Sequence, residues 1–149
     1  MKNKFVWAKI FTISGTILLL SPIVLMLATS IPGSIMSGQL MMDYLLPAEL
    51  GIFILIGSFF LLAGSIISHI DIKKISLTLG ATLITIFSGQ GIAMITGLAS
   101  GRREAEGIFF TLIILSIIIF DLLVLLQGIN GIIIIKKIFK SNKKLMLLT

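Results

Sequence analysis

The stretch Ile108–Ile135 reads IFFTLIILSIIIFDLLVLLQGINGIIII and is apolar almost throughout. As a helix rising ~1.5 Å per residue, it is long enough to cross the ~30 Å hydrocarbon core of a bilayer. One residue is out of keeping with the rest: Asp121, near the middle. A carboxylate at that depth costs free energy and needs a partner, a water-filled cavity or a proton. The stretch decides the fold, and the functional question becomes what Asp121 faces.

The composition of the whole chain agrees with a membrane setting. Of 149 residues, 57% are hydrophobic and only 12% charged, against roughly 25% charged in ordinary soluble domains. Mean hydropathy is +1.18. A net charge of +6 raises the question of nucleic acid. The lysines, however, sit at the ends of apolar segments, the pattern of membrane orientation and not of a basic recognition face. No nucleic-acid partner is expected. The chain has no cysteine, which removes disulfides, thiolate metal sites and cysteine nucleophiles.

Lys2, Lys4 and Lys9 precede an apolar run from Ile10 to about Ala28. A secretory signal with a loose cleavage site at Ala28-Thr29-Ser30 is the alternative reading. The run exceeds the roughly 7–15 residues of a signal's apolar core, so a retained helix is expected. Pro22 lies inside it and predicts a kink, and Trp7 suits an interfacial position. Pro32-Gly33 marks a turn. Beyond it Met36, Leu40, Met41, Tyr44 and Leu45 recur near helical spacing, which predicts a short helix on the membrane surface in the first external loop. Pro47 and Glu49 then suit the first turn of a second helix.

That second span carries Gly51, Ser58 and Ser65 at intervals of seven, with Gly57, Gly64 and Ser68 beside them, a composition that lets helices approach closely. His69, the only histidine, lies at its end and gives no metal site by itself. The third span contains Ala81, Thr85, Gly89, Ala93 and Gly97, a small residue every four, which predicts a smooth ridge for right-handed crossing. Gly89-Gln90-Gly91 lacks the strand–loop–helix context of a phosphate loop. A polar turn with Arg102, Arg103, Glu104 and Glu106 leads into the fourth span. The chain then carries Lys136, Lys137, Lys140, Lys143 and Lys144, a tail expected to lie along anionic headgroups, with Ile138, Phe139 and Leu145 dipping in.

The expected fold is therefore an all-α integral membrane protein, one domain over 1–149. It is a four-helix transmembrane bundle with spans of about 10–29, 48–69, 75–98 and 108–135. Ten of the twelve basic residues fall on the side that holds both termini. Under the positive-inside rule the termini are cytoplasmic, in a multi-pass protein of the cell membrane. The other side is left with Asp43, Tyr44, Glu49, Arg102 and Arg103 as an external polar cluster.

Helical rise places Asp121 roughly 22 Å from Lys136, Gln90 roughly 24 Å from Lys74, Ser58 roughly 22 Å from Lys73 and Ser21 roughly 18 Å from Lys9. Each helix thus offers one polar side chain near the same depth. Gln90 shares a face with Ala93 and Gly97, and Asp121 with Gly128. Packing of those faces would let the Gln90 amide donate to Asp121, with Ser58 joining. Farther along the fourth span Gln127 and Asn130 also need partners, and Asn130 is shallow enough to reach the headgroup region.

Two functional readings follow. In one, the chain is a structural or accessory component of a homo- or hetero-oligomeric membrane assembly, with Asp121 and Gln90 as interhelical polar contact. In the other it is a small proton- or cation-coupled transporter or channel that uses Asp121 as the titrating group. Catalysis would need a nucleophile–base pair or a metal cluster, and the sequence holds neither, so no enzyme and no cofactor is expected.

Overall fold

A computed structural model describes residues 2–37, 48–98 and 107–146. They form four helices: α1 (Lys2–Ser37), α2 (Ala48–Ser68), α3 (Ile72–Ile95) and α4 (Gly107–Met146). Each is long and apolar enough to cross a membrane. Isoleucine-rich stretches settle as helices here despite their β-branching, and a helix is the form that would satisfy every backbone N–H and C=O within its own segment in hydrocarbon.

One periodicity organises all four. The buried positions of α1 include Ala8, Thr12, Gly15, Leu19 and Pro22, and those of α2 include Ile54, Ser58, Leu61 and Ser65. On α3 the inward stripe is Ile75, Leu79, Thr82, half-buried Ile86 and Gly89. On α4 it is Phe120, Val124, Gln127, Gly131, Ile134 and Ile138. Every stripe alternates steps of four and three, the 3.5-residue repeat of left-handed, near-aligned helix packing. The expected four-residue ridge of α3 is not its buried stripe: Ala81, Thr85, Ala93 and Gly97 lie half-buried on the flanks, and only Gly89 is enclosed.

The α1–α2 pair is the most intimate, followed by α3–α4, with α1–α4 closing the bundle and α2–α3 in thinner contact. Gly57 abuts Gly15 and Leu19, whereas Gly64 abuts Thr12 and Ala8, so α1 and α2 run antiparallel. Gly128 meets Leu20 and Gly131 meets Thr16, which sets α4 antiparallel to α1. Gly89 meets Ser116 between α3 and α4. In lipid such contacts are held by van der Waals packing, because tails are as apolar as the side chains they would replace.

Two helices outrun their expected spans. α1 passes through Pro22 and Pro32-Gly33 without turning. A proline inside a helix forfeits one N–H bond, and Ser21 Oγ donates to the Leu18 carbonyl that Pro22 leaves without its usual donor, at 3.2 Å. α4 continues to Met146 instead of ending near Ile135. Ile138 does not dip into headgroups, because it is buried with Ala8, Leu61, Ile75 and Ile134. The predicted interfacial helix, with Asp43 and Tyr44, and the pair Arg102 and Arg103 lie outside the described residues. Glu49 falls in the first turn of α2, and its side chain also lies outside them.

The α2–α3 connection is tight. His69 and Asp71 adopt left-handed backbone, with φ of 55° and 51°. The turn is fastened by Ile70 N–H to the Ser65 carbonyl at 3.1 Å and by Ser65 Oγ donating to the Ile70 carbonyl. Asp71 then pairs with Lys137 of α4. That hydrogen bond holds the Asp71 carboxyl below its ordinary value of 3.8, against a weaker opposing effect of desolvation.

Candidate functional site

The bundle interior is apolar at two levels and polar between them. One apolar cluster joins Leu19, Ile23, Ile54, Phe120 and Val124. The other joins Ala8, Leu61, Ile75, Ile134 and Ile138. On α1, α2 and α4 the stripe positions between the two clusters hold hydroxyls, an amide or glycine: Thr12 and Gly15 on α1, Ser58 on α2, Gln127 and Gly131 on α4; on α3 they are Leu79, which is apolar, and Thr82. Thr12, Ser58, Thr82 and Gln127 are all fully buried. This polar waist is the candidate site.

Its chemistry follows from which groups donate. Thr12 gives its hydroxyl proton to the Ala8 carbonyl at 2.7 Å, Thr16 to Thr12 at 2.7 Å and Thr82 to Thr78 at 2.8 Å. Back-bonding of this kind lets a hydroxyl sit in an apolar interior at little cost. Ser58 instead reaches across the bundle, its Oγ donating to Gln127 Oε1 at 3.2 Å. Gln127 Nε2 is buried without a hydrogen-bond partner. An amide donor left unsatisfied costs about 1–3 kcal/mol, so the waist holds a group still able to bind an acceptor.

Asp121 lies six residues from Gln127, ~9 Å along the axis of α4. It is off the buried stripe, beside Phe120, and half-buried. Its Oδ1 is enclosed without a hydrogen-bond partner. Of the four residues expected to form a layer, the structure brings none to another. Ser58 pairs with Gln127, Ser21 serves the Leu18 carbonyl, and Gln90 is exposed on α3 and makes no hydrogen bond to Asp121. The register explains the difference. The face of α4 that carries Gly128 packs on Leu20 of α1 and not on the Gln90 face of α3. A polar layer exists, but it is centred on Gln127.

Gln127 needs a partner on sequence grounds alone, and its place on the inward stripe is legible from spacing. Val124, Gln127, Gly131 and Ile134 continue the four-three alternation that Phe120 begins, and Asp121 stands one residue off it. The outward face of α3 is equally informative. Leu77, Ile84, Phe87 and Met94 are exposed, and a side chain at Gly80 or Gly91 would meet open space. Gln90 belongs to this exterior.

Comparison with known proteins finds no match: no family model, no curated protein and no solved structure aligns with the chain.

Proposed function

We propose that this is an integral, multi-pass protein of the cell membrane with both termini in the cytoplasm, acting as a non-enzymatic structural or accessory component of a homo- or hetero-oligomeric membrane assembly. The observation that carries the reading is Gln90. Its amide is exposed on a face whose other large side chains, Ile84, Phe87 and Met94, suit lipid or another helix. An amide in hydrocarbon seeks hydrogen bonds, and a second chain supplies them, for ~0.6–2 kcal/mol per contact. The interhelical role expected of Gln90 is thus a role between chains. The basic end contacts anionic headgroups.

The test is native mass spectrometry of the protein released from detergent, comparing wild type with Gln90→Leu. The assembly should be present in wild type and weakened in the variant. A monomeric wild type, or an assembly indifferent to Gln90, rejects the reading. For the orientation, an impermeant label that reaches a cysteine placed at Arg102 only from the cytoplasmic side would reverse it.

The unpartnered Asp121 Oδ1 favours a second reading, a proton- or cation-coupled transporter or channel. Ion flux into liposomes, lost in Asp121→Asn while the fold is retained, supports it. Absence of flux in the wild type excludes it.

A further inference from the structure

The described lysines gather at one end of the bundle, and they are not equivalent. Lys137 is committed to Asp71 across the α3–α4 side. Lys136 and Lys140 stand four residues apart on α4, both exposed. Like charges at that spacing repel one another. Phe139 lies between them in sequence and is exposed, and Lys9 of α1 places its ammonium 4.3 Å from the centre of the Phe139 ring. Lys9 thus sits over Phe139 at the α1–α4 seam, with Lys136 one turn back along α4 and Lys140 next to Phe139 in sequence. Asp71, engaged by Lys137, is the one acid at this end among the described residues.

Depth narrows what fits. Lys9 is the last charge before the apolar run of α1, and Lys136 the first after that of α4. Both mark the level where hydrocarbon gives way to headgroups. Lys140 stands one turn further out, about 6 Å beyond Lys136. A phosphodiester at that level would sit among the ammoniums, while its acyl chains lie along the exposed apolar flanks of Ile132 and Ile133 on α4 and Ile10 and Ile17 on α1. Because Ile138 is locked in the core, Lys136, Phe139 and Lys140 are displayed on a fixed helix and not on a flexible tail.

We propose that Lys9, Lys136, Lys140 and Phe139 form a binding site for the phosphate headgroup of an anionic phospholipid. The site rests on the reading of the chain as membrane-embedded, and that premise is tested separately by whether the protein stays with the membrane fraction after alkaline carbonate washing.

The test is native mass spectrometry of full-length protein in a neutral detergent, with phosphatidylglycerol, phosphatidylcholine or inorganic phosphate added. Phosphatidylglycerol should be retained in preference to phosphatidylcholine. Replacing Lys9, Lys136 or Lys140 by Gln should weaken retention by roughly fivefold each. The control pair Lys73→Gln and Lys74→Gln should leave it unchanged. Equal retention of the two lipids, or equal loss in the control, overturns the site in favour of diffuse charge. Competition by inorganic phosphate as strong as by the lipid overturns the lipid assignment. Loss of wild-type protein from the carbonate-washed membrane defeats the membrane reading instead.

Discussion

Gly15 of α1 and Gly57 of α2 face each other so closely that a Cβ on Gly15 would lie 2.7 Å from the Gly57 carbonyl oxygen, and a Cβ on Gly57 2.8 Å from that of Gly15. Backbone touches backbone here, and neither helix has a flexible side chain to move aside. Gly15→Ala or Gly57→Ala must force α1 and α2 apart, at about 1–3 kcal/mol. Gly51→Ala and Gly80→Ala meet open space and serve as controls. Thermal unfolding in detergent should show both interface variants melting below wild type and both controls at or above it.

Ser58 and Gln127 give a second, quantitative expectation. Removing one partner strands the other, whereas replacing both with apolar groups removes the need for a bond. Gln127→Leu and Ser58→Ala should each destabilise, and the double variant should recover part of the loss. A double-mutant cycle should return a coupling near ~0.6 kcal/mol and no more than about 1.7. A coupling of zero would mean that the bond does not form in the membrane.

Acid should loosen the α2–α3 turn. The hydrogen bond from Lys137 holds the Asp71 carboxyl below its ordinary value of 3.8. A depressed folded-state pKa contributes stability that is present above the ordinary value and lost as pH falls through the lowered one. For a pair this open to solvent the whole effect is at most about 1 kcal/mol. Stability measured against pH should decline on the acid side of 3.8 in wild type, and less steeply in Asp71→Asn. Salt should diminish the same difference.

His69 holds a left-handed backbone with φ of 55°, a conformation that disfavours any residue with a Cβ. His69 is exposed and its ring has no assigned role in the bundle. His69→Gly should therefore be neutral to stabilising by up to about 1 kcal/mol, read as a rise in melting temperature. A clear fall would assign the imidazole a contact of its own.

The four helices were legible from hydropathy, and so were the approximate ends of α2 and α3, because each apolar run has the length of a membrane-crossing helix; α1 and the end of α4 outran their apolar runs. The register of the helices was not legible. On α2 the close packing falls to Gly57 and Gly64, beside the series at intervals of seven, while Gly51 of that series meets open space; the partner is the Gly15 face of α1, which carries few residues that draw attention. On α3 the more regular small-residue series proved peripheral. Asp121 drew attention because a charge is conspicuous, whereas Gln127, a neutral amide in the same run, is the residue that the bundle encloses. Which side of a helix faces inward depends on all four stripes fitting together, and a single residue's chemistry does not report it. The extension of α4 beyond Ile135 was hidden for a related reason: Lys136 and Lys137 look like an ending until Ile138 is seen to continue the inward stripe.

That continuation has a mechanical consequence. A helix of 40 residues spans ~60 Å, about twice the thickness of a bilayer's hydrocarbon core. Because Ile138 anchors it to α1 and α3 beyond its first lysines, α4 acts as a braced mast whose basic end holds its height and heading relative to the bundle. Anything that pushes or pulls on that end is coupled directly to Gln127 and the waist, with no slack in between.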